Sequence, residues 1–386
     1  MYFAVFGSGL GHVTRVLEVA KRLGDNHGQF RYSSFGQGLN YLRSNGEGRN
    51  TTESPSLDVQ WGAGGGFSSW HVLPRFPFTF NAFLKQLAFE QESISRFDPD
   101  LVVSDSRLSA VLAARLKSYP VITVLNQFSV AFPPRFRGQV GRFYERIAGD
   151  SLGLMWSLSE RVLMTDLPPP FTIGERNLVG SDVSRVVEFV GFTSPDLEVT
   201  EEEMQRTRRM LDLDGRPLVF CQISGPDATK GMLMDVLMKV AGEVSKEHNL
   251  VISLGYPSGS PQPKKLASGA WLFEWCPVKE ELFRLSDLLV ARAGHSTIGQ
   301  CINAGKPAVL VPIHNHSEQI GNAEKFSKLG LGVEIRSERL TPEKLAESVD
   351  SCLDDPRYRS KVEALSRISK RYNGIEKCAE IIGSFA

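Results

Sequence analysis

Short apolar runs alternating with amphipathic, helix-period stretches recur along all 386 residues, and this alternation limits the fold more than any other feature. Parallel strands joined by crossover helices read this way, because a strand covered on both faces is apolar throughout. Twelve runs are candidate strands: residues 2–6, 30–35, 101–104, 121–126, 162–165 and 187–190, then 218–223, 250–254, 271–273, 288–291, 308–311 and 333–335. Between the two sets lies GFTSPDLEVTEEEMQRTRRMLDLDGRP, polar and carrying an acidic run, Glu201 to Glu203, that reads as a solvated helix start. A chain of this length exceeds what one core usually supports. The expectation is therefore two domains, 1–194 and 195–386, with the helical stretch 358–385 packing back across the linker onto the first.

The charge balance narrows the partners. Forty-four basic residues face 44 acidic ones, so no net field attracts nucleic acid or a membrane at long range. The five cysteines (Cys221, Cys276, Cys301, Cys352, Cys378) are an odd count without CxxC or Cys/His spacing, which reads as free thiols of a cytoplasmic protein and not as a zinc site. No apolar run is long enough for a signal peptide or a membrane span, so any membrane contact is expected to be peripheral.

The stretch LVARAGHSTIGQCINAGKPAVLVPIHNHSEQIGNAEK (289–325) reads as strand, Gly turn, helix, strand, polar loop and helix. After Ala293-Gly294 a helix opens with His295, Ser296 and Thr297, whose free backbone N–H groups make an anion site. The run 308–311 then releases a loop with His314, Asn315, His316, Glu318 and Gln319. Alternate residues of an extended loop point apart, so His314 and His316 read as loop contacts and not as metal ligands. Asp98-Pro99-Asp100, ahead of a strand and with an internal Pro, reads as a turn.

The first strand ends in GSGLGHVTR, and Val13, Val16, Leu17, Ala20 and Leu23 follow at helix spacing. A dinucleotide fingerprint needs Gly where His12 stands and an acidic residue after the second strand, which closes in Ser33-Ser34-Phe35-Gly36; a Walker lysine is missing too. What remains is a small-residue turn, with Gly9 and Gly11, holding a histidine at a sheet mouth. In the first helical turn the macrodipole favours a neutral ring, as a general base needs; the alternative is a capping or turn histidine. Asp105, following the run 101–104, should emerge at the same sheet edge, where a carboxylate behind an imidazole fixes its tautomer. Asp105 could equally cap the helix 109–116.

Taken together, these segments resemble the GT-B nucleotide-sugar glycosyltransferases, in the branch of the peptidoglycan N-acetylglucosaminyltransferase MurG and the plant, macrolide and glucuronosyl transferases. The resemblance rests on GSGLGHVTR, then Trp275-Cys276-Pro277, RAGHSTIGQ, GKPAVLVP, Glu318-Gln319 and Asn322-Ala323, in the family's order and approximate spacing. It implies an α/β fold of two Rossmann-like domains whose parallel sheets face a cleft, with a C-terminal helix crossing back to the N-terminal domain. It implies a metal-independent, inverting transfer of a hexose-type sugar from a nucleotide donor, expected to be a UDP-sugar, to a hydroxyl acceptor that could be lipid-linked or a glycan. No cofactor is implied, since the nucleotide sugar is substrate. A sugar-nucleotide epimerase of the same architecture, or a non-catalytic nucleotide-sugar binding protein, are the alternatives.

Residue by residue, the resemblance implies that Trp275 lies beside the donor base and that Ser224-Gly225 and Gly294-His295-Ser296-Thr297 bind the diphosphate. Glu318 and Gln319 would meet the sugar hydroxyls, while His12 and Asp105 would activate the acceptor. Two positions depart. Gln300 stands where the family usually has a ribose-binding Glu, and either accepts from ribose or reaches back from Thr297-Ile298-Gly299-Gln300 as a capping box. Arg292, where plant members have His, either faces the phosphates or serves as an ion-pair partner. On the acceptor side, the segment 131–149 interleaves Phe132, Phe136, Phe143 and Tyr144 with four arginines and is either a surface for an anionic or lipid-linked acceptor or an ordinary amphipathic helix. Gly64-Gly65-Gly66 with Trp70 and His71 is a candidate acceptor flap without a chemical signature.

Overall fold

The computed structural model describes residues 1–24, 28–57, 76–127, 138–178, 186–194 and 197–385. They form two compact units, one taking the chain up to Pro195 together with Tyr372–Ala386, the other Asp196–Arg371.

The N-terminal unit contains β1 (Tyr2–Val5), α1 (Leu10–Leu23), β2 (Arg31–Ser34), α2 (Gly36–Leu42), β3 (Thr51–Glu53), α3 (Phe76–Phe97), β4 (Val102–Asp105), α4 (Leu108–Leu116), β5 (Val121–Leu125), α5 (Gln139–Trp156), β6 (Arg161–Met164) and β7 (Val187–Phe189). The strands make one parallel sheet in the order β3-β2-β1-β4-β5-β6-β7. Alternate side chains of each strand enter two cores: Phe3, Val5 and Val103 meet Val13, Val16 and Ala20 of α1 on one face, and Tyr2, Ala4 and Val102 meet Ile94 and Ala110 on the other.

The C-terminal unit contains α6 (Glu201–Met210), β8 (Leu218–Gln222), α7 (Gly231–Glu247), β9 (Asn249–Ser253), β10 (Lys264–Ala267), β11 (Ala270–Phe273), α8 (Lys279–Leu285), β12 (Leu288–Ala291), α9 (His295–Ala304), β13 (Ala308–Leu310), α10 (Ser317–Lys328), β14 (Gly332–Glu334), α11 (Pro342–Asp354) and α12 (Pro356–Ser369). Its sheet runs β10-β11-β9-β8-β12-β13-β14, parallel except for β10, which pairs antiparallel with β11 at the edge. The acidic run opens α6 through a capping box: Thr200 accepts from the Glu203 N–H, and the Glu203 carboxylate accepts from the Thr200 N–H at 2.8 Å.

The last helix, α13 (Gly374–Gly383), packs on α1 and buries Ile375, Cys378, Ala379 and Ile382 in the N-terminal unit's core. Departing and returning chain pass closely here. A Cβ on Gly374 would lie 2.6 Å from the Gly191 and Phe192 carbonyl oxygens, so only glycine fits.

The switch in strand order falls between β1 and β4 in the first sheet and between β8 and β12 in the second. Loops leaving the C-terminal ends of such strands diverge to opposite faces and leave a crevice, the usual ligand position in open α/β sheets.

Candidate active site

At the β1/β4 crevice, Gly7 and Gly9 let the backbone turn from β1 into α1. A Cβ on Gly7 would overlap the Phe35 carbonyl oxygen, and Gly9, the N-cap, has φ +86°. Gly11 is not a loop residue, as expected from sequence, but lies in the first turn of α1. His12 follows it, its ring edge-on to Phe6 with centroids 5.4 Å apart.

Asp105 is the last residue of β4, which ends one residue later than the apolar run suggested, and is fully buried. It caps no helix: Arg107 occupies the N-cap of α4. Its Oδ1 lies 2.7 Å from His12 Nδ1 and accepts from Arg15 Nη2 at 2.6 Å, while Oδ2 accepts from Arg15 Nε at 2.5 Å. Arg15, one helical turn beyond His12, is itself 5% exposed and also reaches Thr165 Oγ1 at 3.4 Å. Burial pushes the Asp105 pKa up, but Arg15 and then His12 outweigh it, and the carboxyl is held below its usual range. With the carboxylate ionised, a neutral His12 donates from Nδ1 and leaves the Nε2 lone pair available.

At the β8/β12 crevice, Gly225 turns the chain with φ +106°, and a Cβ there would crowd Thr229 Oγ1 at 3.2 Å. Gly294, which has no side chain to cap with, is the N-cap of α9. His295 and Thr297 are buried, Ser296 is exposed, and Ser224 is half-buried. The helix opens at His295, so Thr297 and Gln300 lie inside it and the capping-box reading of Gln300 is excluded: a cap lies outside the helical turns. Gln300 is half-buried in the second turn.

Arg292 is 2% exposed and forms no ion pair among the described residues. Its Nη1 donates to the Val311 carbonyl at 3.1 Å and its Nη2 to the Thr229 carbonyl at 2.5 Å, so it ties the loop after β8 to the end of β13. Burial lowers its pKa to about 10, still a full positive charge at neutral pH. Asn322 adds a further tie, donating to the Ala293 carbonyl at 3.2 Å.

Glu318 and Gln319 lie in the first turn of α10 and not in a free loop. Gln319 is buried, and its Oε1 accepts from the Ile313 N–H at 3.0 Å; that oxygen is committed to holding the loop. His316 is the N-cap, its Nδ1 accepting from the Gln319 N–H at 3.4 Å, and burial lowers its pKa against the pull of Glu318, which suits the neutral ring an acceptor requires. His314 pairs with Glu338 at 2.7 Å. Trp275, just beyond β11, is 38% exposed and presents an indole at the same sheet edge.

Two contributors escaped sequence reasoning. Arg15 carried a signal, the i+3 spacing from His12, but on sequence it is one of many helix-face arginines. Lys230, 2% exposed, gave none; its Nζ donates to the Gly255 carbonyl at 2.8 Å, pairs with Asp227 at 2.9 Å and lies 4.1 Å from the Tyr256 ring centroid. The candidate flap at 64–71 and the arginines and phenylalanines of 131–137 lie outside the described residues. Among the described residues no group of three His, Cys, Asp or Glu could hold a metal ion, and no helix is long and apolar enough to cross a membrane. All five cysteines are buried and unbridged, and burial raises their pKa, to about 12 at Cys276, Cys301, Cys352 and Cys378.

Two parallel α/β sheets, each gathering polar groups at its switch point, are the GT-B architecture. Solved structures agree on the fold: the glycotransferase of kitacinnamycin superposes with TM-score 0.68 at 16% identity, covering 100% of this chain and 98% of that one. MurG of Acinetobacter baumannii gives 0.62 at 18% identity, covering 99% of both. Residues 1–133 match glycosyl transferase family 1, and residues 233–377 match the glycosyltransferase family 28 C-terminal domain. An uncharacterized glycosyltransferase of Methanosarcina mazei is 25% identical over 384 residues, 98% of this chain and 96% of that protein. A UDP-N-acetylglucosamine--N-acetylmuramyl-(pentapeptide) pyrophosphoryl-undecaprenol N-acetylglucosamine transferase of Clostridium perfringens is 27% identical over 191 residues, 48% of this chain and 52% of its own. The chain is a glycosyltransferase of GT-B type, similar to family 28 in its C-terminal half.

Proposed function

We propose that the protein transfers a hexose-type sugar from a UDP-sugar to a hydroxyl acceptor with inversion and without a metal ion. The observation that carries this reading is the 2.7 Å contact of His12 with buried Asp105 at the first switch point. His12 Nε2 takes the proton of the acceptor hydroxyl as its oxygen bonds to the anomeric carbon. The bond from that carbon to the diphosphate breaks on the opposite face, and UDP leaves. Asp105, held by Arg15, orients the ring and supports the charge it gains.

The donor diphosphate is assigned to the α9 N-terminus and the Ser224-Gly225 turn, where backbone N–H groups and the buried charge of Arg292 offset its charge without a metal ion. Trp275 stacks on the base, Gln300 accepts from the ribose, and Glu318 with the Gln319 amide group meets the sugar hydroxyls. The acceptor is assigned to the N-terminal unit. A lipid-linked acceptor met at a membrane surface on the cytoplasmic side is supported by the first turns of α3, where Phe78, Phe80 and Leu84 stand exposed.

Purified protein titrated with nucleotide sugars in thermal melts, followed by assay of nucleotide release with candidate acceptors, tests the reading. UDP-sugars should stabilise the fold and UDP should appear only when an acceptor is present. Absence of stabilisation at millimolar UDP-sugar would refute the donor assignment.

A further inference from the structure

The edge of the second sheet opposite the switch-point loops carries a cavity of about 420 Å³ between α6 and the C-terminal ends of α8 and α9. Arg208 of α6, Arg284 of α8 and Lys306, just before β13, line it, with Glu201, Met204 and Leu285. It lies where β12 and β13 begin, so it is separate from the groups assigned above to the donor.

The charges in this cavity are unbalanced. Neither Arg208 nor Arg284 forms an ion pair or a side-chain hydrogen bond among the described residues, and Lys306 Nζ donates only to the Arg284 carbonyl, at 2.9 Å. The single lining carboxylate, Glu201, accepts from Gln205 at 2.8 Å. Asp287, outside the lining, is engaged by Arg359 at 2.7 Å and by the Leu218 N–H at 3.0 Å. Three cations thus face one carboxylate, leaving an excess of two positive charges. Burial is the main cause that lowers the Lys306 pKa; Asp287 and Glu363 oppose it, and Arg359 and Arg284 add to it.

We propose that this cavity is a second ligand site, for a small phosphate-bearing anion. A phosphate dianion matches the excess charge, and two guanidinium forks with one ammonium are the donor set that phosphate recognition uses. The volume exceeds a bare phosphate, and Met204 and Leu285 offer apolar surface to a short organic body. An occupant would tie α6 to α8 and α9.

Isothermal titration of the full chain with glycerol 3-phosphate, inorganic phosphate and glycerol tests this. One saturable equivalent of a phosphate species is expected, with no binding of glycerol. Tighter binding of glycerol 3-phosphate than of phosphate identifies an ester ligand, and equal binding identifies free phosphate; both support the site. The Arg284→Gln/Lys306→Gln double variant should weaken binding by about tenfold or more. Arg208→Gln, at an exposed position that leaves the fold alone, should weaken it severalfold and serves if the double variant melts early. Absence of saturable phosphate binding, or undiminished affinity in both variants, would overturn the proposal.

Discussion

At the β1/β4 switch point the buried group is an anion, Asp105, with Arg15 and His12 gathered on it; at β8/β12 it is a cation, Arg292, touching only carbonyl oxygens. The first cluster is internally neutralised, which suits a site whose task is to move one proton. The second keeps its charge, which suits the anionic diphosphate proposed to bind there. The same architecture thus places opposite electrostatic demands on two equivalent crevices, and the residues following the strands decide which demand is met.

The sharpest test of this contrast is His12→Ala. Losing the base should cut turnover by about 10²–10⁴-fold, with little change in melting temperature, since the ring is partly exposed and the Arg15–Asp105 pair stays intact. Full activity in this variant would remove the base assignment and leave the fold standing. Asp105→Asn should instead destabilise, by about 3–5 kcal/mol in urea unfolding, because it strands the buried Arg15 charge.

The same carboxylate fixes a pH dependence. Its folded pKa is depressed, so its stabilisation is present in full above the ordinary carboxylate range and is lost as pH falls through the depressed value. Wild-type stability should therefore drop more steeply between neutral and strongly acid solution than that of Asp105→Asn. Parallel curves would mean that Arg15 does not hold Asp105 ionised.

At the second crevice Arg292→Met should cost about 1–3 kcal/mol by orphaning the Thr229 and Val311 carbonyls. It should also weaken UDP binding measured by titration. A stability loss with unchanged UDP affinity would make Arg292 a structural tie alone and erase the electrostatic side of the comparison.

How far the sequence reveals all this follows the same division. The twelve apolar runs all became strands, because buried parallel strands write their position as continuous hydrophobicity. The two strands that the pattern missed, Thr51–Glu53 and Lys264–Ala267, lie at sheet edges, where Glu53, Lys264 and Lys265 face solvent and no apolar run is required. His12 and Asp105 could be brought together because each follows a legible strand. Arg15 could not, since its partner is fixed only by the register of β1 on β4, which aligns Val5 with Asp105. Gln319 and Gln300 were legible only in part: one has an oxygen committed to the Ile313 backbone, and the other does not belong to the capping box that its spacing allowed. Caps depend on where a helix begins, and that boundary is what periodicity locates least well.

The smallest expected effect is at Gln300. A carboxylate there would make a charge-assisted bond to a ribose hydroxyl in place of a neutral one. Gln300→Glu should tighten UDP binding by up to about tenfold, about 1.4 kcal/mol. The gain should shrink for 2′-deoxyuridine diphosphate if the contact is to the 2′-hydroxyl. Because capping no longer competes as an explanation, unchanged affinity for both nucleotides would mean that Gln300 does not reach the ribose.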